Sequence, residues 1–302
     1  MNEKIKEKCL TVGSPTDWWE ILRPFAWTAS FISICLGGIL SYQEGTFSLR
    51  LFLPVLIAVS LLQSAGNIIN EYYDYKTGID NPDSQRPSTV LVDGRISPWL
   101  ALTVSKIIII LFMLGAAFYT WYLQLLGIPF FVLLGCSGAY FYTAPPLYLK
   151  YRGLGTLTVI FVFGIILTQA VYYVFTGNLS LLVIWYSLPI SLLVGAILQG
   201  NDLRDIHKDR GLTISSRYGF KLGVTIYLFL IFTPYLLVFI SIGLNLNSPW
   251  ALLILLTIPK AIINCHHIIA NYNQYDSLHN LDEKTAQLHF LFGIFWLISF
   301  FF

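Results

Sequence analysis

The chain has 302 residues, 56% of them hydrophobic and only 11% charged, with a formal net charge of +2. Soluble domains carry roughly 25% charged residues, so no soluble fold of this size could hide that much apolar surface, and the small net charge gives nucleic acid no electrostatic footprint. Composition therefore describes a polytopic membrane protein.

Residues 1–24 mix Lys and Glu and hold no apolar core, which predicts a solvated tail and no cleavable signal. Roughly 20 apolar residues cross a bilayer as a helix. In chain order that ruler finds about nine spans: Phe25–Tyr42, Leu51–Ile69, Pro98–Tyr122, Leu125–Tyr142, Leu154–Phe175, Leu181–Leu198, Leu222–Leu244, Trp250–Ile268 and Thr285–Phe302. All of residues 25–302 thus form one all-α membrane domain. Cys9, Cys35, Cys136 and Cys265 show no ligand spacing and read as small apolar residues plus one tail thiol.

The connections fall into two kinds. Those after the first, third, fifth and seventh spans hold only Glu44 and Arg50 as charges, whereas the others carry Lys76, Arg86, Arg95, Lys150, Arg152, Arg204, Lys208 and further bases. The positive-inside rule makes the charged face, with the N-terminus, cytoplasmic in a prokaryotic cell membrane and puts the C-terminus opposite. Nearly all acids lie on that face too, which the rule does not require, so something there needs carboxylates. Lys260 falls inside the eighth span and either faces a cavity or snorkels to the interface; Lys106 reads as a snorkelling residue.

Two acidic rows stand out. The second span runs into Asn67-Ile-Ile-Asn70-Glu71-Tyr72-Tyr73-Asp74 with Asp80 beyond, and the sixth runs into Asn201-Asp202-Leu203-Arg204-Asp205 with Asp209 beyond. If helix continues past each span, Asn67, Asn70 and Asp74 share one face, as do Asp202, Asp205 and Asp209. Both rows read Asn-acid-x-x-Asp after spans two and six, which suggests a four-helix unit used twice plus one helix. Clustered carboxylates need cations, and oxygen-only ligands suit Mg²⁺ held by a few carboxylates plus substrate phosphate. Such a site would bind a diphosphate and help break its C–O bond. Tyr72, Tyr73 and Tyr75 interleave the first row, where aromatic faces can stabilise an allylic cation. Tyr172 in the fifth span either lines a substrate cavity or anchors at the interface.

These motifs resemble the two aspartate-rich motifs of the UbiA superfamily of membrane prenyltransferases. The likeness spans nearly the whole chain, from Leu22-Arg23-Pro24 through Arg86-Pro87, Asp93-Gly94-Arg95 and Tyr142-Thr143-Ala144-Pro145-Pro146. It implies nine helices around a central cavity and Mg²⁺-dependent diphosphate binding. Asn70, Asp74, Asp202 and Asp205 would be catalytic through the metal, with Glu71, Asp80 and Asp209 assisting. Lys150, with Tyr142 nearby, Arg86 and Arg204 would contact the diphosphate, and Asn67, Tyr73 and Tyr75 would line the cavity. Asn67-x-x-Asn70, Gly78-x-Asp80, Gly153-Leu154-Gly155 and Thr285-Ala286-Gln287-Leu288-His289 look like the 1,4-dihydroxy-2-naphthoate branch. Glu71 stands where that family usually has Asp, and Arg210-Gly211-Leu212-Thr213 shortens its usual Gly-Lys-x-Thr.

The expected reaction transfers a prenyl chain from a polyprenyl diphosphate to an aromatic acceptor, with the bilayer as host and no obligate protein partner evident. Rivals are another UbiA-type acceptor, such as 4-hydroxybenzoate, a tetrapyrrole or a glycerol-phosphate lipid, and a secondary transporter. The edge position of the acids favours the enzyme. The CDP-alcohol phosphotransferase signature is absent.

Overall fold

Helix boundaries follow the hydropathy of the chain closely. The computed structural model describes residues 11–80, 88–209, 211–272, 275–278 and 280–302. In chain order it forms α1 (Pro15–Leu22), α2 (Thr28–Gln43), α3 (Leu49–Lys76), α4 (Pro98–Leu123), α5 (Ile128–Phe141), α6 (Gly155–Thr176), α7 (Leu181–Arg204), α8 (Ile214–Tyr218), α9 (Phe220–Gly243), α10 (Pro249–Ala270) and α11 (Leu281–Phe301). Among the described residues there is no strand. Seven helices (α3, α4, α6, α7, α9, α10 and α11) are long and apolar enough to cross a membrane, while α2 and α5 are shorter apolar helices where the first and fourth spans were expected. The first is short because Pro24–Trp27 forms a separate 3₁₀ turn ahead of Thr28. Gln124 and Asn245, both with positive φ, turn the chain at the ends of α4 and α9.

The chain divides into two compact units. One takes residues up to Trp27 with Leu56–Leu149, and the other takes Thr28–Val55 with Lys150–Phe302. In the first, Ile21 of α1, Ile68 of α3 and Ala101 of α4 pack with Val90, Leu91 and Ile96 of the connecting loop. In the second, α7 is the central post, with α9, α11 and α6 against it. Trp296 is fully buried there and donates its indole N–H to the Tyr186 carbonyl at 3.0 Å.

Two expectations are corrected. The leading segment is not a solvated tail from Thr11 onward. Ser14 caps α1 through a reciprocal bond with Asp17, Pro15 opens the helix, and Ile21 is buried in the core. The last helix begins at Leu281, four residues ahead of the expected Thr285, which brings Asp282 into it. The Lys260 ammonium, whose direction the sequence left open, donates to Gln287 Oε1 at 2.8 Å in an exposed contact between α10 and α11.

One close approach positions the central post. α6 opens into π-helix over Ile160–Ile166, a local widening that natural helices use sparingly. Within it, a Cβ built on Gly164 would fall 1.9 Å from Ser191 Oγ and 2.3 Å from Ser191 Cβ, both on α7. Close packing by small residues is how membrane helices gain dispersion energy without a hydrophobic drive. Gly164→Ala is expected to lower the thermal transition in detergent by an overpacking cost of about 1–3 kcal/mol. Adding Ser191→Gly should recover part of that loss, and a variant that melts like the parent would refute the contact.

Candidate active site

The first acidic row sits on an unbroken helix, because α3 continues to Lys76 and carries Asn67, Asn70 and Asp74 at i, i+3 and i+7. Gly78, at φ 74°, ends it, and the amides of Ile79 and Asp80 both donate to the Asp74 carbonyl at 3.0 and 3.1 Å. That turn returns Asp80 to the last turn of the helix. Glu71, Asp74 and Asp80 are all buried.

Two members of this stretch are engaged within the unit. Asn67 Nδ2 donates to the Leu22 carbonyl at 3.1 Å. Glu71 accepts from Arg23 at 3.1 Å and from Ser88 Oγ at 2.8 Å. Arg23 ends α1 in the left-handed region, at φ 53°. The end of α1 is thus pinned to the helix that bears the row. Removing one partner of such a buried pair costs about 3–5 kcal/mol because the other charge is left in apolar surroundings.

The start of α1 has its own anchor. Arg95 bonds Glu20 through both Nη atoms, at 2.8 Å each, and also reaches Asp17. The Ser14 hydroxyl and amide, and then Arg95, hold the Asp17 carboxyl down to about 2. Arg95 foremost lowers Glu20, whose carboxylate in turn raises the Arg95 guanidinium.

The second row departs from the expected continuous helix. α7 stops at Arg204, Asp205 turns to φ −95°, ψ 16°, and Asp205 through Asp209 form turns. Side-chain contacts accompany the turn. Neighbouring residues on a helix point apart, yet Arg204 closes on Asp205 through Nη2 at 2.7 Å and Nε at 3.2 Å. Lys208 adds a contact to Asp205 Oδ1 at 3.6 Å. Arg204 also bonds Asn201 Oδ1 and, at 2.7 Å, Oδ2 of Asp282 on α11. Asp209 accepts from Thr213 Oγ1 at 3.3 Å.

The row remains a cluster despite the turn. Asp202, Asp205 and Asp209 are 5%, 3% and 4% exposed, and Lys150 is 7% exposed. The charges of Asp209, Lys150, Asp205 and Arg204 all act on Asp202. Among the described residues no group of three or more His, Cys, Asp or Glu side chains gathers tightly enough to enclose a metal ion. The donor chemistry nonetheless suits a hard cation that completes its shell with water and substrate oxygens, as Mg²⁺ does.

Other expected residues fall as follows. Tyr142 is half-buried at the end of α5. Tyr73 is buried with its ring against Tyr72 and its hydroxyl 3.5 Å from that of Tyr140, whereas Tyr75 is exposed. Tyr172 is buried and donates to Glu44 Oε1 at 3.5 Å, in the last turns of α6. Arg86 lies outside the described residues.

Comparison with known proteins decides the family. Residues 30–281 match the UbiA prenyltransferase family. The chain belongs to that family. It is 32% identical over 287 residues to UbiA prenyltransferase domain-containing protein 1 of Rattus norvegicus, covering 92% of this chain and 81% of that one. It is 30% identical over 293 residues to 1,4-dihydroxy-2-naphthoate octaprenyltransferase of Bacillus subtilis (strain 168), covering 94% and 93%. A UbiA homolog from Archaeoglobus fulgidus, solved with GPP and Mg²⁺, superposes with a TM-score of 0.64 at 16% identity, over 93% of this chain and 99% of that one. The last likeness bears on the fold alone. This UbiA-family chain is therefore a multi-pass membrane prenyltransferase.

Sequence reasoning missed two charged partners, Arg23 of Glu71 and Asp282 of Arg204. A signal existed for both. Ser14-Pro15-Thr16-Asp17 is a helix-start pattern, and Asp282-Glu283 are the acids favoured in a first turn.

The depressed Asp17 carboxyl gives a pH test. Its folded value, about 2, lies below the ordinary 3.8. Its stabilising effect is therefore complete above pH 3.8 and is lost as the pH falls toward 2. Pepsin cleavage inside residues 15–22, normalised to an unstructured peptide, should rise over that window. Asp17→Asn should be cleaved readily already at pH 4 (about the ordinary carboxylate value); cleavage with no pH dependence would count against the anchor.

Proposed function

We propose that this prenyltransferase moves the prenyl group of an allylic polyprenyl diphosphate to 1,4-dihydroxy-2-naphthoate, at the cytoplasmic face of the membrane, with Mg²⁺. The observation that carries the diphosphate reading is the burial of three carboxylates, Asp202, Asp205 and Asp209, around the end of a membrane helix with Lys150 in electrostatic reach. Carboxylates out of water and in mutual proximity demand added positive charge. The acceptor reading rests on the relation to the Bacillus subtilis octaprenyltransferase over nearly the full length of both chains. The cytoplasmic assignment rests on the asymmetry of Lys and Arg.

Asp202, Asp205 and Asp209 in the second row, and Asn70, Asp74 and Asp80 in the first, would serve as oxygen ligands for Mg²⁺. Bound Mg²⁺ supplies neutralisation of the departing diphosphate, which weakens the allylic C–O bond. Lys150 adds a fixed positive charge to the same leaving group. The apolar helices keep water from the allylic cation, so that the cation is not captured as an alcohol. The electron-rich ring carbon that bears the carboxylate attacks C1 of the prenyl group. A C–C bond forms, diphosphate leaves with the electron pair of the broken C–O bond, and CO₂ departs as its bonding pair restores the ring. No ring proton need be removed for this acceptor.

Purified protein in detergent, given a long-chain prenyl diphosphate, Mg²⁺ and 1,4-dihydroxy-2-naphthoate, is expected to release CO₂ and form a prenylated naphthoquinol. EDTA should abolish the product. Asp74→Ala and Asp205→Ala should each lower kcat by at least about a hundredfold, the scale seen when a preorganised charge-stabilising group is lost. Product from 4-hydroxybenzoate alone would keep the transfer and overturn the acceptor. Failure to bind or cleave any prenyl diphosphate would overturn the reaction itself.

A further inference from the structure

Arg204 is placed where a phosphate-binding arginine would be expected, yet its guanidinium is committed to protein oxygens. Nε and Nη2 take the two oxygens of Asp205, Nη2 also meets Asn201 Oδ1, and Nη1 takes Asp282 Oδ2. The side chain is 8% exposed. A two-point pairing fixes the plane of both groups, which a single ammonium contact cannot do. Asp205 is therefore oriented by Arg204, and Arg204 in turn by Asp282.

Asp282 reaches this position because the backbones come close. A Cβ on Gly200, one turn before Arg204, would meet Leu281 Cγ at 3.3 Å and the Asp282 amide nitrogen at 3.5 Å. The first turn of α11 is thus seated directly against the last turns of α7. Asp282 is buried, and its second oxygen, Oδ1, has no hydrogen-bond partner among the described residues. Two carboxylates share one guanidinium, and the Lys208 ammonium stands 3.6 Å from Asp205 Oδ1, so the charges of these four groups balance.

We propose that Asp282 is a positioning residue for the second acidic row: through Arg204 it orients the Asp205 carboxylate for a divalent cation. This rests on the reading of that row as the Mg²⁺–diphosphate site. Asp282 itself needs no contact with metal or substrate. Outer-sphere partners of this kind change metal affinity by roughly 10- to 100-fold when removed.

The test measures Mn²⁺ binding to the purified, detergent-solubilised chain by electron paramagnetic resonance, alongside the Mg²⁺ concentration for half-maximal prenyl transfer and the melting temperature. Asp282→Asn keeps the shape but weakens the hold on Arg204, and should raise both metal constants about tenfold while kcat at saturating Mg²⁺ stays within about twofold. Arg204→Lys keeps the charge but not the two-point pairing, and should show a similar shift. Asp282→Glu should restore part of the affinity. The double variant Asp282→Asn/Arg204→Lys should be little worse than either single change, since both act on one chain of contacts.

An Asp282→Asn protein that melts lower but binds Mn²⁺ as the parent does would overturn the proposal, leaving Asp282 a structural residue. If that variant does not fold, unchanged Mn²⁺ affinity in Arg204→Lys would overturn it equally. A parent chain that transfers prenyl groups yet responds to none of these changes overturns the positioning role alone. A parent chain that binds no Mn²⁺ overturns the role together with the reading it rests on.

Discussion

Charge taken out of water must be met by charge, and in a chain with 11% charged residues few partners are available. That constraint organises everything around the acidic rows. Glu71 draws in Arg23, and Asp205 draws in Arg204, which needs Asp282 as well. Each pairing then recruits an element that hydropathy alone would leave loose. Arg23 carries the end of α1 to α3, and Asp282 fixes the first turn of α11 to α7. Breaking one partner of a buried pair is far costlier than never having made it, so these contacts act as fasteners.

The same constraint divides labour among the cations. Arg204 gives its donors to carboxylates and Asn201, and Arg95 gives its own to α1. Lys150, whose charge acts on Asp202, is then the buried lysine at the second row in the proposed reaction. A lysine suits that place, since a compact ammonium on a flexible stem can follow a phosphate that changes charge and position during transfer, while an arginine fork holds a fixed plane.

Hydropathy made the existence and order of the apolar helices legible, while α3 and α7 run on to Lys76 and Arg204, past the expected Ile69 and Leu198. Bilayer thickness and helical rise leave little freedom once composition excludes a soluble fold. The helix ends were less legible, because they depend on polar contacts between segments distant in sequence. α7 was expected to run on to Asp209. Its stop at Arg204 coincides with a pairing between the adjacent side chains of Arg204 and Asp205, and no periodicity reports such a choice. For the same reason Arg204 read as a phosphate clamp rather than a carboxylate partner. On α3 the expectation held as far as the helix itself, since Asn67, Asn70 and Asp74 share one continuous element. Asn67 nevertheless spends its amide on Leu22, a contact that required knowing α1 existed.

The seating of Leu281 and Asp282 against Gly200 has a consequence for how the protein is made. Chains leave the ribosome N-terminus first, so Arg204 is synthesised, and its helix inserted, well before Asp282 exists. Until α11 arrives, one arm of the buried guanidinium has no carboxylate. A chain in which α11 has not yet docked therefore holds this guanidinium with one arm unmatched beside α7, and the fit of the two helices is sensed through a single buried charge.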